Sequence, residues 1–235
     1  MEEKSRARLN RGGVRWLAAY FFGSIAGFVA LFVSAGKLDW VNAWVYVGLV
    51  LTYLITYTAI CVKLNPEMLN ERGRFSKEGT KTFDKVYAVL YLPLSFSIVV
   101  VCGLDAARYK WSTMPAGLTI LGMAMILPAF ACGTWAMAVN PYFELSIRIQ
   151  DDRDHRVIKS GPYRIVRHPG YAAQALSLVA APLILGSWWG LVPAAVLVVV
   201  LMIRTALEDR TLRNELPGYA EYTEQTRYRL LPHVW

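Results

Sequence analysis

The sequence predicts an all-α, polytopic helical membrane protein, and three observations carry that prediction. Hydrophobic residues make up 55% of the 235-residue chain and charged residues only 18%, well under the roughly 25% charged usual in a soluble domain. Uncharged runs cover 16–36, 40–62, 86–104, 111–143 and 169–203, each near or above the ~20 residues a helix needs to cross a bilayer. The last run is too long for one span and carries Gly186-Ser-Trp-Trp-Gly190 at its centre, a sequence suited to a tight hairpin.

Taken in order, the runs predict about six transmembrane helices, near 16–36, 40–62, 84–104, 115–139, 171–186 and 190–207, with the last two as a hairpin. The first run lacks a small-residue cleavage site and is followed at once by another span, so it reads as an anchor and not as a removable signal. No stretch of ~100 polar-alternating residues remains for a soluble domain. The chain is therefore expected to be one membrane domain over 1–235. Four helices lie within 1–139, and the chemistry-bearing region is 140–235. Cys61, Cys102 and Cys132 all fall inside apolar runs, where a thiol acts as a small hydrophobe, so neither a disulfide framework nor a metal site is expected.

Six spans put both termini on one side, and the basic residues support that count. Of 25 Lys and Arg, 22 then lie on the side of the termini, and only Lys37, Arg108 and Lys110 face the other way. A five-span reading weakens the bias to 17 against 8. The positive-inside rule therefore selects six spans, cytoplasmic termini and cytoplasmic polar segments at 63–84, 140–170 and 204–235. Trp40, Trp44, Trp111, Trp188 and Trp189 are expected near the outer interface, as an aromatic belt. The net charge of +8 then reports topology and calls for no nucleic-acid partner. No obligate protein partner is evident either.

Segment 140–171, NPYFELSIRIQDDRDHRVIKSGPYRIVRHPGY, holds His155 and His168 and is dense in Tyr, Arg and Gly. Pro162 and Pro169 keep Gly161 and His168 out of regular helix, leaving backbone groups free to hold a ligand. The bland alternative is an interfacial loop whose arginines meet lipid phosphates. In the last span, Arg204 and Glu208 are spaced i, i+4 on one face, so they pair or jointly face a cavity. Ionisable groups near membrane depth are functional candidates; the plain alternative is a snorkelling arginine in an intrahelical pair. The chain has no G-x-G-x-x-G, no P-loop and no H-E-x-x-H, so a nucleotide-like cofactor would have to be held by membrane helices and their ends.

At these residues the chain resembles the isoprenylcysteine carboxyl methyltransferase family, integral-membrane enzymes that are themselves similar to phospholipid N-methyltransferases. The likeness runs from about Asn140 to Pro232. It rests on Ser160-Gly-Pro-Tyr163, Arg167-His-Pro-Gly-Tyr171, a hydrophobic hairpin, Arg204-x-x-x-Glu208-Asp209 and Gly218-Tyr-x-x-Tyr222. The resemblance implies S-adenosylmethionine as methyl donor, bound on the cytoplasmic side between this loop and the final helix. By position it implies cofactor contacts from Gln150, His155, Arg156, Val157, Ile158, Tyr163, His168, Pro169, Gly170, Tyr171 and Glu208. It implies that Arg204 orients the methyl acceptor. Asp209 stands where the family often has a second Glu, and Ala172 or Ala173 where it often has Gly.

The chemistry of methyl transfer suits these side chains. A sulfonium loses its positive charge in the transition state, and Tyr163 and Tyr171 offer ring faces that bind it without over-stabilising it. Alignment and desolvation carry most of the catalysis, so no covalent nucleophile is expected. A carboxylate acceptor would be held by Arg204; an amine would need a base, with Glu208 and His168 nearest. The expected acceptor is lipophilic and enters from the membrane. Two rival readings stand beside this one. Steroid 5-alpha-reductases and sterol reductases have a similar Arg-His-x-Asn-Tyr element, but Gly170 replaces the Asn here and Gln174 stands where their acid is expected. A non-catalytic protein binding anionic lipid through its arginines is the third.

Overall fold

A computed structural model describes residues 8–74, 79–144 and 146–235. Six apolar helices form a bundle. The first, α1 (Arg11–Ala35), starts where the Asn10 side chain accepts hydrogen bonds from the Gly12 and Gly13 amides, and ends at Gly36, whose φ of 69° suits a residue without Cβ. It is followed by α2 (Val41–Leu64), the seven-residue α3 (Pro66–Arg72), α4 (Thr82–Cys102) and α5 (Ala116–Val139). The hairpin α6 (Pro169–Leu185) and α7 (Leu191–Glu215) and the short α8 (Tyr219–Gln225) complete the fold. Among the described residues there is no strand.

The expected spans are found with shifted ends. The helices α1, α2, α4, α5 and α7 are long and apolar enough to cross a membrane, and α6 is a shorter apolar helix. At most 28% of the residues in any of the five apolar windows are buried inside the protein. The remaining apolar surface therefore faces lipid, where a bilayer replaces the interior of a soluble fold. Gly186, at φ 79°, ends α6 and opens the predicted hairpin. The last helix of the hairpin, α7, runs to Glu215, two turns past 207, and stops before Pro217-Gly218, which cannot continue it. Two elements were not expected. Helix α3 occupies part of the polar segment 63–84, started by the Asn65 side chain and Pro66. A π-helical stretch, Gly103–Tyr109, continues α4 beyond its predicted end.

Small residues make α5 and α6 the closest pair. A side chain at Gly122 would meet the α6 backbone within about 3 Å, and Gly133 faces Ala173. In lipid such small-residue contacts hold helices by van der Waals packing. Connections gather at two ends of the bundle. At one end Asn10 meets Asn70, Asn65 donates to the carbonyls of Met137 and Asn140, and Arg72 donates to the carbonyl of Phe143. The segment 140–168, the end of α7 and the tail after α8 lie at this same end. At the other, Arg108 donates to the Val33 carbonyl and Trp188 to the Thr113 carbonyl. Trp44, Trp111, Trp188 and Trp189 are about half exposed or more.

Candidate active site

The charge-rich end of the bundle contains a cavity with about 770 Å3 of empty space, open to solvent at its mouth. Its walls come from Asn140, Tyr142, Phe143, Glu144, Ser146, Ile147, Arg148 and Gln150, from the irregular strip 155–158, from Tyr163, from Arg167, His168, Gly170 and Tyr171 around the start of α6, from Glu208 and Leu212 on α7 and Leu216 at its end, and from Tyr219 and Tyr222 on α8. Gly170 is required here, because a Cβ at this position would run into the ring of Phe143, itself a cavity residue. Gly161 holds a φ of 60° and packs against Trp135, which turns the chain into Pro162 and Tyr163.

One network anchors these walls. Asp209, 1% exposed, receives Arg167 on both oxygens (Nε at 2.7 Å, Nη2 at 2.9 Å), His168 Nε2 at 3.1 Å, the Tyr219 hydroxyl at 3.0 Å and Arg229 Nε at 3.0 Å. The backbone adds two bonds, since the amides of Arg167 and His168 donate to the carbonyls of Tyr228 and Arg229. The loop, α7, α8 and the C-terminal tail are thus tied to a single carboxylate. Burial lowers the affinity of Arg167 for its proton, but the hydrogen bonds it donates to Asp209 outweigh this, and the guanidinium is held above its usual range. Burial and the adjacent Asp209 push the Tyr219 phenol up, which keeps it a hydrogen-bond donor.

A second chain of bonds leads from the cavity into the bundle. Tyr171 donates its hydroxyl hydrogen to Glu208 Oε2 at 2.5 Å and accepts a bond from Arg204 Nη1 at 2.6 Å. Arg204, 5% exposed, lies one turn below Glu208 and also donates from Nε to Asp84 Oδ1 at 2.7 Å. Its guanidinium carbon sits 4.3 Å from the ring centre of Tyr87 and 4.9 Å from that of Tyr171.

Of the residues singled out by sequence, Gln150, His155, Arg156, Val157, Ile158, Tyr163, His168, Gly170, Tyr171 and Glu208 all line this cavity. Pro169 and Arg204 are not among its walls. Pro169 instead forms the first turn of α6, where its missing N–H costs nothing, with its carbonyl toward Cys132. The Tyr171 ring is engaged by Arg204 and stacks on His168. Gln150 is tied on both ends of its amide, donating to the Tyr142 carbonyl and accepting from Arg153 Nη1. His155 stacks on Tyr142 and accepts from the Gln150 amide. Burial, reinforced by the Arg153 guanidinium, lowers its pKa to about 4, so the imidazole is neutral at physiological pH.

Sequence reasoning missed Asn140, Tyr142, Phe143, Glu144, Ile147 and Arg148 as walls, and Asp209 as the hub. The i, i+4, i+8 spacing of Glu208, Leu212 and Leu216 was a usable signal for the α7 face. No comparable period marks 140–148, whose described residues are turns and irregular backbone.

The fold and the cavity define a class, a multi-pass membrane protein with a polar site at one end of its helical bundle. Residues 118–216 match the phospholipid methyltransferase family, the integral-membrane methyltransferases related to the isoprenylcysteine carboxyl methyltransferases. The match spans nearly all of α5, the cavity loop, α6 and all of α7, and with the spanning helices it supports a membrane methyltransferase. No curated protein matches the chain.

Proposed function

We propose that the protein moves a methyl group from S-adenosylmethionine to a lipophilic acceptor, a prenylcysteine-type carboxylate or similar, at the cytoplasmic face of its membrane. The observation that carries this reading is the cavity itself. Ten of the residues expected to touch the donor converge on it from three chain segments, within the stretch matched to the methyltransferase family.

The lining suits S-adenosylmethionine. The Glu208 carboxylate offers an acceptor for an amino or ribose group, and the strip Arg156–Ile158, outside regular secondary structure, offers main-chain donors and acceptors. A neutral His155 adds no charge against a cationic donor, and Tyr163, 6% exposed, supplies a ring face. When bound, the donor supplies a methyl group made electrophilic by its attachment to sulfonium. The protein's own part is alignment and exclusion of water. Tyr171 shares its hydroxyl between Arg204 and Glu208, so the carboxylate is held in one orientation. The apolar bundle below gives a lipophilic acceptor a lateral route from the inner leaflet, with membrane lipids as its surroundings. The predominance of basic residues at this end supports the cytoplasmic assignment.

Purified protein is expected to bind S-adenosylhomocysteine saturably by calorimetry and to ignore NADPH. A response to NADPH alone would transfer the site to the reductase reading. Labelled-methyl incorporation, followed by mass spectrometry of membrane extracts, should mark lipophilic species; label confined to soluble species would refute lateral entry.

A further inference from the structure

Asp84 lies outside both the cavity loop and the stretch matched to the methyltransferase family, yet it joins them. It sits in the first turn of α4 and is 3% exposed. Oδ1 accepts from Arg204 Nε at 2.7 Å, and Oδ2 accepts from the backbone N–H of Ile147 at 2.9 Å. The Ile147 carbonyl in turn accepts from the Lys81 amide at 3.2 Å, so this strip of the cavity wall is clipped to the start of α4 from both sides. One turn along α4, Tyr87 covers the Arg204 guanidinium, and its hydroxyl accepts from Gln174. A single helical turn therefore supplies the counter-charge, a ring face and a wall anchor.

A bare counter-charge would need no bond to Ile147. The second oxygen makes the orientation of Arg204 and the position of the wall interdependent, while the first sets the guanidinium that bonds Tyr171 and, through it, Glu208. We propose that Asp84 is a positioning residue for methyl transfer: it orients Arg204, and through Tyr171 the Glu208 carboxylate, and locks the Ile147 wall to the same point. This rests on the methyltransferase reading above. Withdrawing Asp84 would take one of the partners from a buried guanidinium, which is destabilising, so a charge-keeping variant is the sharper probe.

Asp84→Glu keeps the ion pair but displaces it by about one carbon–carbon bond. Misplacement on the order of 1 Å can cost about a hundredfold in rate. Tritiated-methyl transfer from S-adenosylmethionine into the lipid extract of membranes containing the protein is therefore expected to fall roughly tenfold to a hundredfold. S-adenosylhomocysteine affinity, which Glu208 and the Ile147 wall also serve, should fall by less than transfer does, and the thermal midpoint in detergent should stay near wild type. Asp84→Asn should lower transfer further and lower the midpoint as well. Transfer by folded Asp84→Glu within twofold of wild type would overturn the positioning role and leave the methyltransferase reading intact. A loss confined to S-adenosylhomocysteine affinity would make Asp84 a donor-site residue and equally overturn it. Wild-type protein that binds no S-adenosylhomocysteine, or labels no lipid, would remove the underlying reading and this proposal together.

Discussion

Each end of the bundle is organised by a buried aspartate, and the two are partnered in opposite ways. Asp105, 0% exposed, sits in the π-helical stretch and takes hydrogen bonds from the Ser112 hydroxyl, the Ser187 hydroxyl at 2.6 Å and the Trp189 amide. These donors are neutral. They fasten the α6–α7 turn to the end of α4, and the Ser187 hydroxyl oxygen accepts a further bond from the Gly190 amide. Asp209, at the other end, is held by Arg167, Arg229, His168 and Tyr219. The contrast separates two tasks that a membrane protein sets its polar groups. Closing a tight turn needs only a few matched donors. Holding a loop, two helices and a tail around an open cavity calls for charge-assisted bonds, which are roughly twice as strong as neutral ones, and it places ionised groups next to a solvent-open space.

The sharpest way to break this contrast is to remove its larger member. Asp209→Ala leaves Arg167 buried without its carboxylate, a change of about 3–5 kcal/mol where one partner of a buried pair is lost. The thermal midpoint in detergent should drop steeply and S-adenosylhomocysteine binding should vanish with it. Glu208→Ala tests the cavity and not its scaffold. A hydrogen bond to a charged group is worth about 1.5–3 kcal/mol, so donor affinity should fall roughly tenfold to a hundredfold with the midpoint nearly kept. An unchanged affinity would remove Glu208 from the donor site. Asp105→Ala should cost about 1–3 kcal/mol of stability through its orphaned donors while leaving S-adenosylhomocysteine affinity intact. A loss of affinity there would show that the two ends are coupled.

The smallest effect concerns His155. Its pKa is lowered from 6.5 to about 4 by burial and Arg153, so between these values the unfolded chain binds protons that the folded one does not. Its contribution to stability is complete above pH 6.5 and is lost as pH falls toward 4. The midpoint of wild-type protein should therefore decline across that window more steeply than that of His155→Gln. Parallel curves would show that the imidazole is not the titrating group.

Much of this protein was legible along the chain, and particular residues show why. Span lengths and the Gly186–Gly190 turn were readable because a bilayer demands long apolar helices and a tight turn demands its own residue types. The loop's prolines and glycines marked irregular backbone for the same local reason, and Gly170 and Gly161 proved to be close approaches. The walls formed by Phe143, Glu144 and Ile147 were not legible, because they take part through an irregular path with no period to detect. The roles of Arg204 and Glu208 were read as a pair on one helical face, whereas the structure links them through Tyr171 of another helix.

The sequence by itself determined what depends on neighbours along the chain: apolar spans, their sidedness signal, the hairpin, and the motifs shared with membrane methyltransferases. Only the tertiary structure decided which charges meet. Asp84 and Arg204 are 120 residues apart and Arg167 and Asp209 are 42 apart. Both pairs are set by how helices pack in three dimensions, because a buried charge takes whatever partner the packing brings within reach.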